Sequence, residues 1–301
     1  MRLNQLTFGF VGLGLMGGSL AKAIRKYVLS EAEPSSIGKI YALDKNLSSI
    51  EDAILEKTID EGFSESETEK MLSLCDVVFV CLYPKATGEF LAKYQDCFKS
   101  GSIVTDIAGV KSQLIENLNW KRRDVVFVPG HPMAGNEREG FTHSSGEIFQ
   151  NRNYIFMEGI VAGEGHDEKS AKAFETLKEI ATKIGFSRII KTDAKVHDHK
   201  IAFTSQLCHV IASALVDSAE DTNVTAFGGG SFEDLTRIAM INAPLWTELF
   251  IADKDELLGH ISEFQSSLET LKDAIENEDS EKLNGYLSNV RARRVAMANP
   301  K

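Results

Sequence analysis

Three stretches of this chain hold residue types that could do chemistry. They are "VPGHPMAGNEREGF" (128–141), "LTRIAMINAPLW" (235–246) and "DAKVHDHKIAFTSQLCHVIASALV" (193–216). In the first, His131 follows the apolar run VVFV, which reads as a strand, and it precedes Pro132, which biases its backbone to an extended conformation. Gly130 and Gly135 let a ligand approach closely, so His131 reads as an active-site residue fixed in a constrained turn. Imidazole suits proton removal near neutral pH. In the second, Arg237 stands among apolar residues, where a guanidinium either grips a carboxylate bidentately or closes a structural salt bridge. In the third, Asp198, Ala202, Ser205 and His209 fall at i, i+4, i+7 and i+11, one face of a helix. A polar line on so apolar a helix is either a site wall or a satisfied core network. The H-D-H run at 197–199 does not read as a metal site. Residues i and i+2 diverge around a helix, and no cysteine or second acid has matching spacing.

These residues need a scaffold, and the N-terminus suggests one. "FGFVGLGLMGGSLAKAI" sets Gly12-x-Gly14-x-x-Gly17 after an apolar strand and at the start of a helix. That is the context in which the pattern signifies a dinucleotide-binding turn of Rossmann type. Gly12 allows the tight turn, Gly14 lets the backbone approach a pyrophosphate, Gly17 packs helix on strand, and the helix N-terminus offers free N–H groups. "GKIYALDKN" adds a second strand ending in Asp44, whose carboxylate suits ribose hydroxyls and repels a 2′-phosphate. NAD is therefore expected in preference to NADP, although Lys45 follows directly. The expected cofactor contacts are Gly12, Gly14, Leu15, Met16, Gly17 and Asp44, with Asp106 at the end of a further strand. A dinucleotide beside a basic histidine suggests oxidation of an alcohol, with hydride going to nicotinamide and the proton to imidazole.

Strand candidates are Phe8–Val11, Ile40–Leu43, Val77–Leu82, Ile103–Thr105, Val125–Val128, Tyr154–Met157 and Ser187–Ile190. Helix-like segments such as Met16–Val28, Ala86–Phe98 and Glu168–Ile184 alternate with them. Alternation with nearly continuous apolar strands implies an α/β fold, a parallel sheet covered on both faces. After Thr192 the pattern is helical, interrupted by the glycine hinge "AFGGGSFEDLTRIA", where Ser231 is the expected helix N-cap. The expected domains are 1–192, α/β and NAD(P)-binding, and 193–301, all-α. The helical half is rich in amphipathic segments and is expected to bury a large apolar face in a homodimer.

Composition excludes some classes. A formal net charge of −11 argues against nucleic-acid and anionic-membrane surfaces. No run of about 18 apolar residues predicts a membrane span, and the apolar N-terminus is too broken by glycine to read as a signal peptide. Cys75, Cys81, Cys97 and Cys208 form no C-x-x-C pair and read as reduced thiols in a cytoplasmic setting.

The runs "GLGLMGGSLAKAI", "VTDIAGVK", "GHPMAGNEREGF", "HDHKIAFTSQLCHVIASALV" and "GGGSFEDLTRIAMINAPLW" resemble those of prephenate dehydrogenases, the relatives of arogenate and cyclohexadienyl dehydrogenases. They lie within residues 8–246 in the family's order. The resemblance implies a Rossmann-type domain followed by an all-α dimerisation domain of the 6-phosphogluconate dehydrogenase-like type. It implies oxidative decarboxylation of prephenate in tyrosine biosynthesis: hydride leaves ring C4, which carries the hydroxyl, and the ring carboxylate leaves as CO2. The family's catalytic histidine matches His131, and its substrate-binding arginine matches Arg237. His209 and His197 match two further family histidines, and Glu137 matches an acid that gates the site in relatives. Gly109 stands where many relatives have a serine, and Gln206 where some have a histidine, so both are expected at the substrate. Arogenate is the alternative substrate. A hydroxy-acid or imine reductase shares the glycine opening and would use Lys200; a dinucleotide-sensing regulator would need neither His131 nor Arg237.

Overall fold

The structure, a computed structural model, describes residues 2–30, 37–163 and 165–298. These fall into two compact units, Met1–Asp253 and Lys254–Lys301. The first is built on a six-stranded parallel sheet of β1 (Phe8–Val11), β2 (Ile40–Leu43), β3 (Glu61–Phe63), β4 (Val77–Val80), β5 (Ile103–Asp106) and β6 (Val126–Val128). The strand order is β3-β2-β1-β4-β5-β6, so the winding of the chain across the parallel sheet reverses between β1 and β4. Crossovers are made by α1 (Leu15–Tyr27), α2 (Leu47–Leu55), α3 (Thr68–Leu74), α4 (Pro84–Tyr94) and α5 (Ser112–Asn117).

Both faces of the sheet are covered, and for that reason its inner strands are apolar throughout. Phe8 and Phe10 point into one core with Leu20, Ile24 and Phe79; Val11 points into the other with Val78, Leu91 and Val104. Phe10 and Phe79 stack across adjacent strands with ring centroids 5.3 Å apart.

A second, three-stranded sheet joins β7 (Gly130–Pro132), β8 (Asn153–Phe156) and β9 (Arg188–Lys191), with α6 (His166–Lys183) between the last two. Here the structure corrects the sequence reading. The runs near 154 and 187 form strands, but outside the large parallel sheet. The turn expected around His131 is a short strand, antiparallel to β8, with His131 opposite Ile155. Proline and glycine disguised it, since pairing to a strand more than 20 residues away, not local propensity, makes it extended.

The helical segment of this unit comprises α7 (Ala194–Ile201), α8 (Leu207–Asp217), α9 (Gly230–Thr236) and α10 (Ala243–Ala252). A π-helical stretch, Ala202–Gln206, joins α7 to α8. The N-cap of α9 is Gly229 and not Ser231, which lies inside the helix. The second unit is a helical pair, α11 (Lys254–Glu276) and α12 (Ser280–Ala298). No helix among the described residues is long and apolar enough to cross a membrane.

Candidate active site

The carboxyl ends of β1, β4 and β5, together with β7, open on a cleft of about 620 Å³ beside the point where the strand order reverses. Parallel open sheets bind ligands there. Gly14, Leu15, Met16 and Gly17 line one part of it. Gly12 adopts φ +97°, which an L side chain rarely tolerates, and a Cβ there would lie 2.7 Å from the Cys81 carbonyl oxygen. A Cβ on Gly17 would lie 2.0 Å from the Gly12 carbonyl oxygen, whereas one on Gly14 would meet nothing within 4 Å. The loop is therefore tight underneath and open above, and no side chain caps α1. Its free N–H groups and open Gly14 backbone fit a pyrophosphate. Asp44, just after β2, braces the loop by accepting hydrogen bonds from Leu13 N (2.5 Å) and Asn46 N (2.7 Å).

His131, Gly109, Glu137, Gln206, His209 and Arg237 all line the same cleft. His131 Nδ1 lies 2.9 Å from His197 Nε2, and His197 Nδ1 lies 2.7 Å from Asp198 Oδ1. Asp198 also accepts the backbone N–H groups of Lys111 and Ser112 at 2.9 and 2.7 Å. The chain of bonds assigns the tautomers. Burial works to raise the Asp198 pKa, but the hydrogen bonds from His197 and Ser112 hold it below its ordinary value, so Asp198 only accepts. His197 must then donate from Nδ1 and accept at Nε2, and His131 must donate from Nδ1. That leaves His131 Nε2 with a free lone pair, on the ring edge that faces Gly109. Burial, then the neighbouring His197 and Lys111, push the His131 pKa well below its ordinary 6.5. His131 is thus a neutral base with a fixed tautomer at physiological pH.

Two expected contacts are corrected. His197, expected at the substrate, is buried behind His131 and orients it. Asp106, expected at the cofactor, is fully buried. It accepts from Lys111 Nζ at 2.6 Å, Ala108 N at 2.9 Å and Gly130 N at 3.2 Å, tying β5 to β7. The polar face expected along residues 198–209 is also divided. The π turn widens the helix, so Asp198 serves the buried relay while Ser205, Gln206 and His209 reach the cleft.

His209 Nδ1 lies 2.9 Å from the Ser205 carbonyl oxygen, so it donates there and keeps Nε2 as an acceptor. Its ring stacks on Trp246, with centroids 3.6 Å apart. Arg237, just after α9, is 59% exposed at its side chain and ion-pairs with Glu137 across the cleft. Trp246, Leu249, Tyr83 and Asn242 also line the cleft and were missed in the sequence. Their signals are single side chains on ordinary apolar or turn-like stretches. Asp253, buried and donated to by Gln206 Nε2 at 2.9 Å, gave no sequence signal at all.

His197→Asn should lower turnover about tenfold, the lower range for losing a group that fixes an imidazole tautomer. It should also shift the acid limb of the pH–rate profile, because the His131 Nδ1 proton loses its fixed acceptor. An unmoved limb would separate His197 from the base.

A doubly wound parallel sheet with a glycine loop at its first crossover, and a neutral histidine beyond its strand ends, defines a nucleotide-dependent dehydrogenase. Comparison with known proteins narrows the class. Residues 21–190 match the family model "Prephenate dehydrogenase, nucleotide-binding domain", and 193–289 match "Prephenate dehydrogenase, dimerization domain". The chain belongs to the prephenate dehydrogenase family. It is 27% identical to the cyclohexadienyl dehydrogenase of Zymomonas mobilis, over 95% of this chain and 94% of that one. It is 28% identical to the prephenate dehydrogenase of Lactococcus lactis, over 95% of this chain and 76% of that one. Among solved structures, the prephenate dehydrogenase of Aquifex aeolicus in complex with hydroxyphenyl propionate and NAD+ superposes with a TM-score of 0.82. That likeness has 29% identity and covers 99% and 98% of the two chains. Synechocystis arogenate dehydrogenase shares the fold, with a TM-score of 0.75 at 22% identity over 97% of this chain and 100% of that one.

Proposed function

We propose that this protein catalyses the oxidative decarboxylation of prephenate to 4-hydroxyphenylpyruvate with NAD, a step of tyrosine biosynthesis. The observation that carries the reading is His131 Nε2, a neutral base opening onto the cleft that also holds the glycine loop. Bound NAD supplies the hydride acceptor. His131 takes the proton of the 4-hydroxyl as the hydride leaves the same carbon. Loss of CO2 then sends its bonding electrons into the ring, and His131 returns the proton to the phenolate. The proton is lent and no net proton is released. Arg237 holds a substrate carboxylate once Glu137 yields it. Gly109 places no hydroxyl beside His131, so the substrate hydroxyl meets the imidazole directly. The deciding assay is appearance of reduced nicotinamide on mixing purified protein, NAD and prephenate; no reduction would sink the reading.

Asp44 supports a preference for NAD. Asp44→Ser should reduce the NAD over NADP ratio of kcat/KM about tenfold, the worth of one hydrogen bond to a charged group. A wild type that is faster with NADP would contradict this.

The match to a dimerization domain supports a homodimer, as do Phe227 and Ile251, exposed by 93% and 68%. Light scattering at micromolar concentration should give twice the monomer mass. The free cysteines support a cytoplasmic setting, and the acidic charge weighs against a nucleic-acid partner.

Arogenate is a second reading, favoured by one observation. Asp253 fixes the Gln206 amide nitrogen, and the buried Gln206 Oε1 has no hydrogen-bond partner among the described residues. With His209 Nε2 this makes two acceptors on one wall, suited to an ammonium. Comparing kcat/KM for the two substrates decides between them.

A further inference from the structure

The helix α10 brings Trp246 and Leu249 to the cleft, where Leu249 lies against Gly109 beside His131. Its fastening crosses the cleft mouth. Asn242, its N-cap, uses two ends of one amide for different tasks. Oδ1 accepts the Leu245 N–H at 2.9 Å, starting the helix. Nδ2 donates to Tyr83 Oη at 2.9 Å and to Glu139 Oε1 at 2.5 Å. Tyr83 belongs to the turn between β4 and α4, and Glu139 to the segment that follows β7 and His131. One turn further on, Glu248 Oε2 accepts from Lys85 N in the first turn of α4 at 3.2 Å. The helix that walls the substrate space is thus tied to the β4–α4 turn. Leu82, Tyr83 and Pro84 of that turn line the same cleft as Gly14–Gly17.

We infer that Asn242 is a positioning residue that couples the nucleotide to the substrate wall: a dinucleotide resting against the β4–α4 turn steadies α10 through Asn242. This rests on the proposed function for its substrate and extends it with a residue and a consequence. Occupancy of the nucleotide site raises substrate affinity, and by linkage the substrate raises nucleotide affinity by the same factor. The N-cap bond and the cross-cleft bonds belong to one side chain, so a variant must keep the first and remove the second. Asn242→Ser does so, since a serine oxygen caps a helix as well as asparagine but is too short to reach Tyr83 and Glu139.

The test uses NADH, which binds but cannot oxidise prephenate. Its dissociation constant is measured by its fluorescence with and without prephenate, for wild type, Asn242→Ser and Tyr83→Phe. Wild type should bind NADH at least about fivefold more tightly with prephenate present, the lower range for coupled sites. In Asn242→Ser, which leaves the Glu248–Lys85 bond in place, the factor should fall by about half or more, with the affinity for NADH alone within about twofold of wild type. Tyr83→Phe, which breaks the bond from Asn242 to the β4–α4 turn and keeps the one to Glu139, should lower the factor to a similar extent. A second arm needs no substrate: amide exchange across residues 243–252 should slow on adding NADH to wild type and not in Asn242→Ser. Coupling retained in the serine variant, or absent from wild type that turns over prephenate, overturns the inference. If wild type does not oxidise prephenate at all, the functional reading fails, and the exchange arm alone decides whether Asn242 carries the nucleotide signal to α10.

Discussion

His131→Asn lowers the turnover number by roughly 100-fold or more, the scale of a lost general base. Affinity for NAD changes little, because the glycine loop lies on other strands. The size of the loss follows from how completely the structure prepares this imidazole. Its Nδ1 proton is committed to His197, its Nε2 lone pair is left for the substrate, and burial keeps it unprotonated. Asparagine retains a polar atom near the Nδ1 position but supplies no basic nitrogen. The same depressed pKa sets the pH dependence. A base must be neutral to act, so the acid limb of the wild-type profile falls below the ordinary histidine value of 6.5. Near-normal turnover in the variant, or an acid limb at or above that value, would remove His131 from the proposed role.

Arg237→Ala raises the Michaelis constant for prephenate by roughly 30-fold or more. Losing a charge-assisted guanidinium–carboxylate pair commonly costs about 2–5 kcal/mol, and about 1.4 kcal/mol is tenfold. Prephenate is a dianion approaching a protein of net charge −11, so it needs a local cation. Arg237 presently pairs with Glu137, and that pair is largely exposed at the arginine. Exposed pairs are worth about 1 kcal/mol or less, so a substrate carboxylate displaces Glu137 at small cost. Lysine restores only part of the affinity, having no planar fork. If the alanine variant keeps its Michaelis constant but loses thermal stability, the salt bridge is structural and Arg152, on the same cleft, becomes the anchor. Lys111 does not qualify, since it is wholly buried and bound to Asp106.

The parts legible in the sequence are those encoded locally. The apolar runs of β1 and β2 and the glycine spacing between β1 and α1 carry their own signal, because a strand buried on both faces and a turn needing φ above zero restrict residue type at each position. The three-residue β3, Glu61–Phe63, escaped notice because an edge strand needs no apolar run. What stayed hidden depends on partners far along the chain. His197 matched a family histidine, but its task is set by contact with a strand 66 residues away. Asp106 ends a strand like any ligand-binding acid, yet Lys111 and Gly130 turn it inward. The π turn at 202–206 cannot be read from helical periodicity, and it decides that Gln206 reaches the cleft.

On the proposed reading, this cleft couples hydride transfer to decarboxylation. The most direct measurement is the stoichiometry of CO2 released to NADH formed when the purified protein acts on prephenate. Equimolar amounts are expected at every time point, with both falling together in His131→Asn. NADH formed without CO2, or no NADH at all from a folded protein that binds NAD, would contradict it.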